Sequence, residues 1–298
     1  MTYSIVARDK KTGELGVAVQ SHYFSVGSVV TWARAGVGAV ATQSIAEPSY
    51  GPLGLELMGA GKSASEALEA LLRVDKKADH RQVAMVDSRG GVAAHTGGKC
   101  IPHAGQVSGE QFSCQANLMR NDSIWGAMKE SYQKNEDAPL AERLVEALQA
   151  GEEAGGDVRG KQSAAILVVS GQAQPSQWAG RVMDLRVEDN PDPIPELRRL
   201  VRYKRGYDWV DKGDEYLASR DYPNALEAYR KGLELVPEVD ELRYWVGLSY
   251  LATSEKERGR DMLREVFKKD GSWVQLTRDL VRTQAVPVDP ASIQDLLS

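Results

Sequence analysis

At 298 residues the chain has room for two cores at about 150 residues per domain, which excludes a disulfide-stapled miniprotein. Apolar residues make up 42% and charged residues 27%, without long runs of one sign, so wholesale disorder is excluded as well. Lys plus Arg number 37 against 42 Asp plus Glu, and the net charge of -5 argues against nucleic acid or an anionic membrane as a partner.

Residues 2–7 place Tyr3, Ile5 and Ala7 on one face of a strand, Asp9 to Gly13 supply a turn, and residues 15–20 form a second strand, so the chain opens with a hairpin. Residues 26–32 and 36–44 read as a second pair of strands, followed by a Pro- and Gly-containing stretch and a helix over about 53–58. Ser63-Ala64-Ser65-Glu66 has the pattern of a capping box and starts a helix over 64–73. Strands resume at 81–87 and 91–96 around a Ser88-Arg89-Gly90 turn. Helices fit 122–133 and 140–150, and the continuous apolar run 163–169 suits a buried central strand. Strands, then helices, then strands again imply an α+β domain over residues 1–187, with two sheets and helices packed outside them.

Three prolines in residues 191–195 predict an extended linker, and 188–205 read as that linker plus a short helix over 196–202. From residue 206 to 298 the pattern is all-α. Counted from Gly206, positions 4, 8, 11, 20, 24, 27 and 32 are Trp209, Gly213, Tyr216, Ala225, Tyr229, Gly232 and Pro237. This resembles the tetratricopeptide repeat, in which small residues let two antiparallel helices approach and Pro ends the unit. A shift of 34 residues reaches Gly247, Tyr250, Gly259, Leu263 and Val266, a degenerate second unit in register. Two repeats need a further surface: the first domain, the helical segment 273–283, or another subunit, the last of which makes a homo-oligomer. Such helices ordinarily recruit a peptide or protein partner.

No apolar run approaches the ~20 residues of a membrane helix, and Met1-Thr2-Tyr3-Ser4 lacks the basic and apolar regions of a secretory signal, so a cytoplasmic location is expected. Cys100 and Cys114, with only His95 and His103 nearby, match no recurrent zinc spacing and are expected as reduced structural thiols. No metal or other cofactor is implied. Phosphate loops, HExxH, GxSxG and the dinucleotide fingerprint are absent.

The chemical signal is at the start of the chain. Removal of Met1 would leave Thr2 with a hydroxyl and a free α-amine of pKa about 8, a nucleophile and its base on one residue. Thr2 also begins directly on the first strand, an arrangement that resembles the N-terminal nucleophile (Ntn) hydrolases. A closer resemblance is to the Ntn-hydrolase-like family catalogued as domain of unknown function 1028. It is carried by Thr2-Tyr3-Ser4-Ile5-Val6-Ala7-Arg8-Asp9, Thr12-Gly13-Glu14-Leu15-Gly16-Val17-Ala18-Val19, Ala35-Gly36-Val37-Gly38-Ala39-Val40-Ala41-Thr42-Gln43 and Gly155-Gly156-Asp157-Val158-Arg159-Gly160-Lys161-Gln162-Ser163-Ala164-Ala165. These motifs span nearly all of residues 2–187. The resemblance implies a four-layer αββα sandwich with the reactive residue at a strand end. Some relatives carry an export signal that ends immediately before the matching Thr, and many add a C-terminal domain linked to peptidoglycan, whereas the repeats here look like protein-interaction helices. It supplies no activity.

An acyl-transfer site also needs donors for an oxyanion and groups that orient the nucleophile. Strand ends supply Ser21 and His22, and Gln43 and Ser44, while Gln115 and Asn117 follow Cys114 just before a helix. His22 could orient a substrate or move a proton. Gln43 and Asn117 carry neutral amide donors suited to an oxyanion or to a turn. Asp157 and Arg159, with Lys161, could clamp a substrate carboxylate or pin a loop. Cys100 or Cys114 as a nucleophile with His103 is the alternative within the domain. His80 to Gln82 and Asp87 are expected to be solvated, and Glu136, Asp137, Glu152 and Glu153 to be exposed helix-end charges. The expected function is therefore hydrolysis of a small amide through an acyl-enzyme on Thr2. The alternative is a catalytically silent ligand-binding or assembly module whose repeats recruit a peptide or protein.

Overall fold

A computed structural model describes residues 2–176, 178–251, 255–286, 288 and 293–296. The chain divides into two compact units, Met1–Val201 and Arg202–Ser298.

In the first unit the strands are β1 (Thr2–Arg8), β2 (Leu15–Ser21), β3 (Thr31–Arg34), β4 (Gly38–Ser44), β5 (Arg81–Asp87), β6 (Val92–Thr96), β7 (Gly105–Gly109), β8 (Phe112–Asn117), β9 (Ser163–Val169) and β10 (Arg181–Val187). The helices are α1 (Gly27–Val30), α2 (Tyr50–Gly59), α3 (Ala64–Val74), α4 (Ile124–Lys134), α5 (Leu140–Glu153) and α6 (Pro193–Ala218). Strand pairing makes one six-stranded sheet in the order β10-β9-β2-β1-β8-β7 and one four-stranded sheet in the order β3-β4-β5-β6, both antiparallel.

Alternation along the strands decides what each face buries. Tyr3, Ile5 and Ala7 of β1 point to a core shared with Met128 of α4 and with Leu144 and Leu148 of α5. Val6 of β1 and Val17 and Val19 of β2 point the other way, to a core shared with Ala39 and Ala41 of β4 and Ala84 and Val86 of β5. The far face of the four-stranded sheet, with Val40, Val83 and Met85, packs on Leu55 and Met58 of α2 and Ala67 and Leu68 of α3. A slip of one residue in any of these ladders would exchange the faces, so burial on both sides pins the register. The capping box is formed: Glu66 N donates to Ser63 Oγ while the Glu66 carboxylate accepts from Ser63 N.

Three elements differ from the sequence-based expectation. Residues 26–32 are not one strand; α1 forms first and β3 follows. Val26 N donates to Ser163 Oγ and Thr31 Oγ1 donates to Gly27 O, so tertiary hydrogen bonds override the β-branched run. Strands β7, β8 and β10 were not anticipated, and Gln115 and Asn117 belong to β8 rather than to a loop before a helix. The linker is shorter than its prolines suggest. Pro193 starts α6, where its missing N–H costs nothing, and Ile194, Leu197 and Val201 are buried in the first unit's core. The same helix continues from Arg202 into the second unit instead of ending there.

The second unit contains the rest of α6 with α7 (Tyr222–Leu235), α8 (Asp240–Leu251), α9 (Lys256–Lys269) and α10 (Ser272–Arg282). Asp221 caps α7, accepting from Asn224 N, with Pro223 in its first turn. Val210, Ala225, Tyr229, Leu242, Val246 and Tyr250 form one buried cluster, and Tyr244, Leu248, Leu263 and Val266 belong to another. Trp273 of α10 stacks 4.7 Å from Tyr244. No described helix is long and apolar enough to cross a membrane.

Candidate active site

Thr2 is the first residue of β1, paired with Ser21 of β2 on one side and Asn117 of β8 on the other, and Ser21 is paired in turn with Ser163 of β9. Residues opposite one another in an antiparallel ladder share a face. Ser163, Ser21, Thr2 and Asn117 therefore form a polar row across four strands, directed at the second sheet. That sheet presents a matching row, Gln43, Gln82 and Thr96, from β4, β5 and β6.

The two rows are joined by hydrogen bonds. Thr2 is 6% exposed, and its Oγ1 donates to Ser21 Oγ at 3.0 Å. Gln43 Nε2 donates to Thr2 O at 3.1 Å and to Gln82 Oε1 at 2.7 Å, and Gln43 Oε1 accepts from Ser4 Oγ at 2.8 Å. Asn117 Nδ2 donates to Gln82 Oε1 at 2.9 Å. Gln82 Nε2 donates in turn toward Thr96 Oγ1, Gly105 O and Ala116 O, and Gln115 Nε2 toward Ser4 Oγ and Ala41 O. The network is buried and neutral, so it fixes geometry without a charge to desolvate. Both amide hydrogens of Gln43 are engaged, which makes Gln43 an anchor of the Thr2 backbone in this arrangement.

The Thr2 side chain opens on a cavity of about 470 Å³ whose polar lining is Thr2, Ser21, Gln43 and Ser44. Ser44 ends β4 with φ at +75°, a left-handed conformation that costs a non-glycine residue energy and is more often kept at functional positions. Its Oγ is buried with no hydrogen-bond partner among the described residues.

Asp157, Arg159 and His22 stand beside this network rather than in it. Asp157 is 2% exposed; it accepts from Arg159 Nε at 3.1 Å, from the terminal Arg159 nitrogen at 2.8 Å and from Arg159 N at 2.9 Å. Asp157 also accepts from His22 N, at 3.3 Å. Burial raises the Asp157 carboxyl, and the Arg159 side-chain and backbone hydrogen bonds outweigh that and hold it below the ordinary carboxylate value. The pair thus fastens the 157–160 turn to the end of β2. The clamp envisaged for a substrate carboxylate is not where the structure puts these groups, because Arg159 is spread over Asp157 and neither residue lines the cavity. His22 is half-buried with Nδ1 enclosed and without a partner, and it too lies outside the lining. Lys161 pairs with Asp192.

The cysteine alternative has no geometric basis. Cys114 faces the helix-covered core on β8, and burial pushes its thiol well above the ordinary value. Cys100 Sγ donates to Arg81 O, and His103 Nδ1 is 2.9 Å from Asp122 Oδ1, so Cys100 and His103 do not pair. Both cysteines are free, and no metal-binding cluster occurs among the described residues.

Gln82, expected to be solvated, is fully buried and accepts from both candidate amides. Arg81 and Asp87 are buried as well, Arg81 on Asp75 and Asp87 on the backbone N–H groups of Ala64, Arg89 and Gly91. Glu152 accepts from the Tyr3 hydroxyl at 2.8 Å instead of standing in solvent. The alternation Gln82, Ala84, Val86 was the available signal, since it places Gln82 on the core-facing side of β5.

Two antiparallel sheets joined by this polar lattice, with helices outside them, define a mixed α/β domain. Residues 2–197 match the family model described as "Family of unknown function (DUF1028)", and the chain belongs to that family. Among solved structures it is similar to protein SPO2555 from Silicibacter pomeroyi, itself described as DUF1028, at 30% identity and a TM-score of 0.61, over 67% of this chain and 84% of that one. Anbu (ancestral beta-subunit) from Yersinia bercovieri aligns at 10% identity and a TM-score of 0.33, over 66% and 91% of the two chains. No curated protein matches the chain.

Proposed function

We propose that the first unit is an Ntn-type hydrolase domain, a four-layer αββα sandwich, and that Thr2 is its nucleophile once Met1 is removed. The observation that carries this reading is the position of the Thr2 hydroxyl, at the start of an inner strand and in the lining of the 470 Å³ cavity. Met1 itself lies outside the described residues. In the proposed reaction the freed α-amine takes the Thr2 hydroxyl proton, directly or through water, as Oγ1 attacks the amide carbonyl. The amine passes the proton to the leaving nitrogen as the C–N bond breaks, leaving an ester on Thr2. Water then attacks that ester, the amine again accepting a proton, and a carboxylic acid leaves with Thr2 restored. Gln43 holds the Thr2 carbonyl, and Asn117, the other amide suited to an oxyanion, lies beside Thr2 in the ladder with its amide donating to Gln82 and outside the cavity lining.

For the second unit we propose a tetratricopeptide-like pair of helical hairpins that recruits a peptide or protein. Its support is a recurrence of packing: a Cβ at Gly213 would meet Tyr229, and a Cβ at Gly247 would meet Leu263, each residue of the second pair lying 34 positions after its counterpart in the first.

The alternative, a catalytically silent ligand-binding or assembly module, is favoured by the neutrality of the network. The Thr2 hydroxyl donates to Ser21, and among the described residues no titratable side chain hydrogen-bonds it to serve as a base while Met1 is retained. Intact mass of the purified protein, followed by a screen of small amides against wild type and Thr2→Ala, tests the two. Loss of one methionine together with turnover absent from Thr2→Ala supports the hydrolase. Equal activity in the two proteins removes Thr2 from the reaction.

A further inference from the structure

The cavity beside Thr2 has a chemical bias that the hydrolase reading does not by itself supply. Apart from its four polar residues it is lined by Tyr23, Val26, Val29, Val30, Ala46 and Pro48, and no described lining residue is charged. The neighbouring Phe24 and Ile45 are 63% and 47% exposed, and Tyr23 is 55% exposed, so large apolar side chains stand in solvent on the two loops that supply the lining. Exposed apolar groups gathered at a cavity mark a recognition surface, and about 470 Å³ lies within the ~300–1,000 Å³ usual for small-ligand sites. A cation brought here would lose its water and find no counter-charge. One polar demand is left open: the Ser44 hydroxyl, enclosed and unpartnered in a strained backbone conformation at the cavity.

We infer that the site takes an uncharged amide with a branched or aromatic apolar acyl group, the apolar part on Val26, Val29 and Val30 and the amide end met by Ser44 and Thr2. This rests on the Thr2 reading only for placing the amide at residue 2. Amino acid amides with a free ammonium group are excluded by the same lining.

Binding is measured by calorimetry on the full chain carrying Thr2→Ala, so that it is read apart from turnover. The probes are 4-methylpentanamide and leucinamide, which adds an ammonium group to that skeleton. 4-Methylpentanamide should bind at least about tenfold more tightly than leucinamide. Val29→Asp or Ala46→Asp, the second being a loop position that guards against misfolding of the first, should weaken it by about tenfold or more. Ser44→Ala should weaken it several-fold, the loss of one hydrogen bond. Equal or tighter binding of leucinamide overturns the inference, as does saturable binding of neither, or indifference to both acidic substitutions in folded protein. Binding of the neutral probe with no turnover by Met1-free wild type would sink the hydrolase reading and leave this one standing; turnover confined to cationic amides would do the reverse.

Discussion

Thr2 Oγ1 and Ser21 Oγ lie 3.0 Å apart, and the threonine hydroxyl donates across the β1–β2 ladder in which the two residues are directly opposed. The contact is set by strand register rather than by a loop, so it holds the hydroxyl in one orientation. With the α-amine as base, Ser21 acts by positioning Oγ1. Ser21→Ala should therefore lower kcat about tenfold, the worth of one hydrogen bond, with KM little changed. The pH–rate profile should keep its shape, because the titrating group is still the amine. A profile shifted along the pH axis would make Ser21 part of proton transfer instead.

Gln82 is the keystone between the sheets, its Oε1 accepting from both Gln43 and Asn117. Gln82→Leu removes the acceptor that both amides share, at about 1–3 kcal/mol for each buried hydrogen bond lost before relaxation. A loss of about 2–4 kcal/mol is expected, read as a lower midpoint in chemical denaturation. A variant as stable as wild type would show that the network adds nothing to the fold.

What the sequence disclosed and what it hid follow one rule. The β1–β2 hairpin was legible because apolar residues alternate with the turn residues Asp9 and Gly13 between them, and the α3 start because Ser63 and Glu66 form their cap locally. The α1 turn was not, because Val26, Val29 and Val30 favour strand and a tertiary hydrogen bond to Ser163, 137 residues away in the chain, helps hold the segment in a helical turn. β8 was hidden for a different reason. Its alternation is present, Phe112, Cys114 and Ala116 against Ser113, Gln115 and Asn117, but its polar face is buried against the other sheet. Polarity that serves a buried network looks like polarity that serves solvent, and this concealed Gln82 as well. Thr2 was legible because the chain start puts a hydroxyl and an amine on one residue, and Gln43 because it closes a strand; Asn117 read as a polar residue before a helix, and Asp157 and Arg159, which precede the apolar run 163–169, fasten a turn.

Arg81 Nε donates to Asp75 Oδ2 at 2.7 Å, with both side chains largely buried. That hydrogen bond, against the opposing effect of burial, holds the Asp75 carboxyl down at about 2 from an ordinary 3.8. A carboxyl with a folded pKa below its unfolded one adds stability that is full above the unfolded value and is lost as pH falls through the folded one. The wild type should thus lose part of its stability between about pH 4 and pH 2. Asp75→Asn should start lower at neutral pH and show a shallower fall over that window. Parallel curves for the two proteins would remove Asp75 as a source of the acid sensitivity.

Gly213 and Gly247 occupy equivalent places 34 residues apart, yet their surroundings differ enough to predict different responses to the same substitution. A Cβ at Gly213 would stand 2.3 Å from a ring carbon of Tyr229, and that ring is 1% exposed and tied by its hydroxyl to Asp214 at 2.6 Å. A Cβ at Gly247 would stand 3.1 Å from Leu263 Cγ and 3.2 Å from Gly259 O, a contact relieved by a shift of a few tenths of an ångström. Gly→Ala within a helix gains about 1 kcal/mol of propensity. At 247 that gain is expected to cancel the crowding, so Gly247→Ala should melt within a degree or two of wild type. At 213 overpacking of about 1–3 kcal/mol or more exceeds the gain, so Gly213→Ala should lower the thermal midpoint of the helical signal in circular dichroism. Equal destabilisation at both positions would mean that the second helix pair packs as tightly as the first, and would contradict the looser fit that Leu263 provides where the first pair has Tyr229.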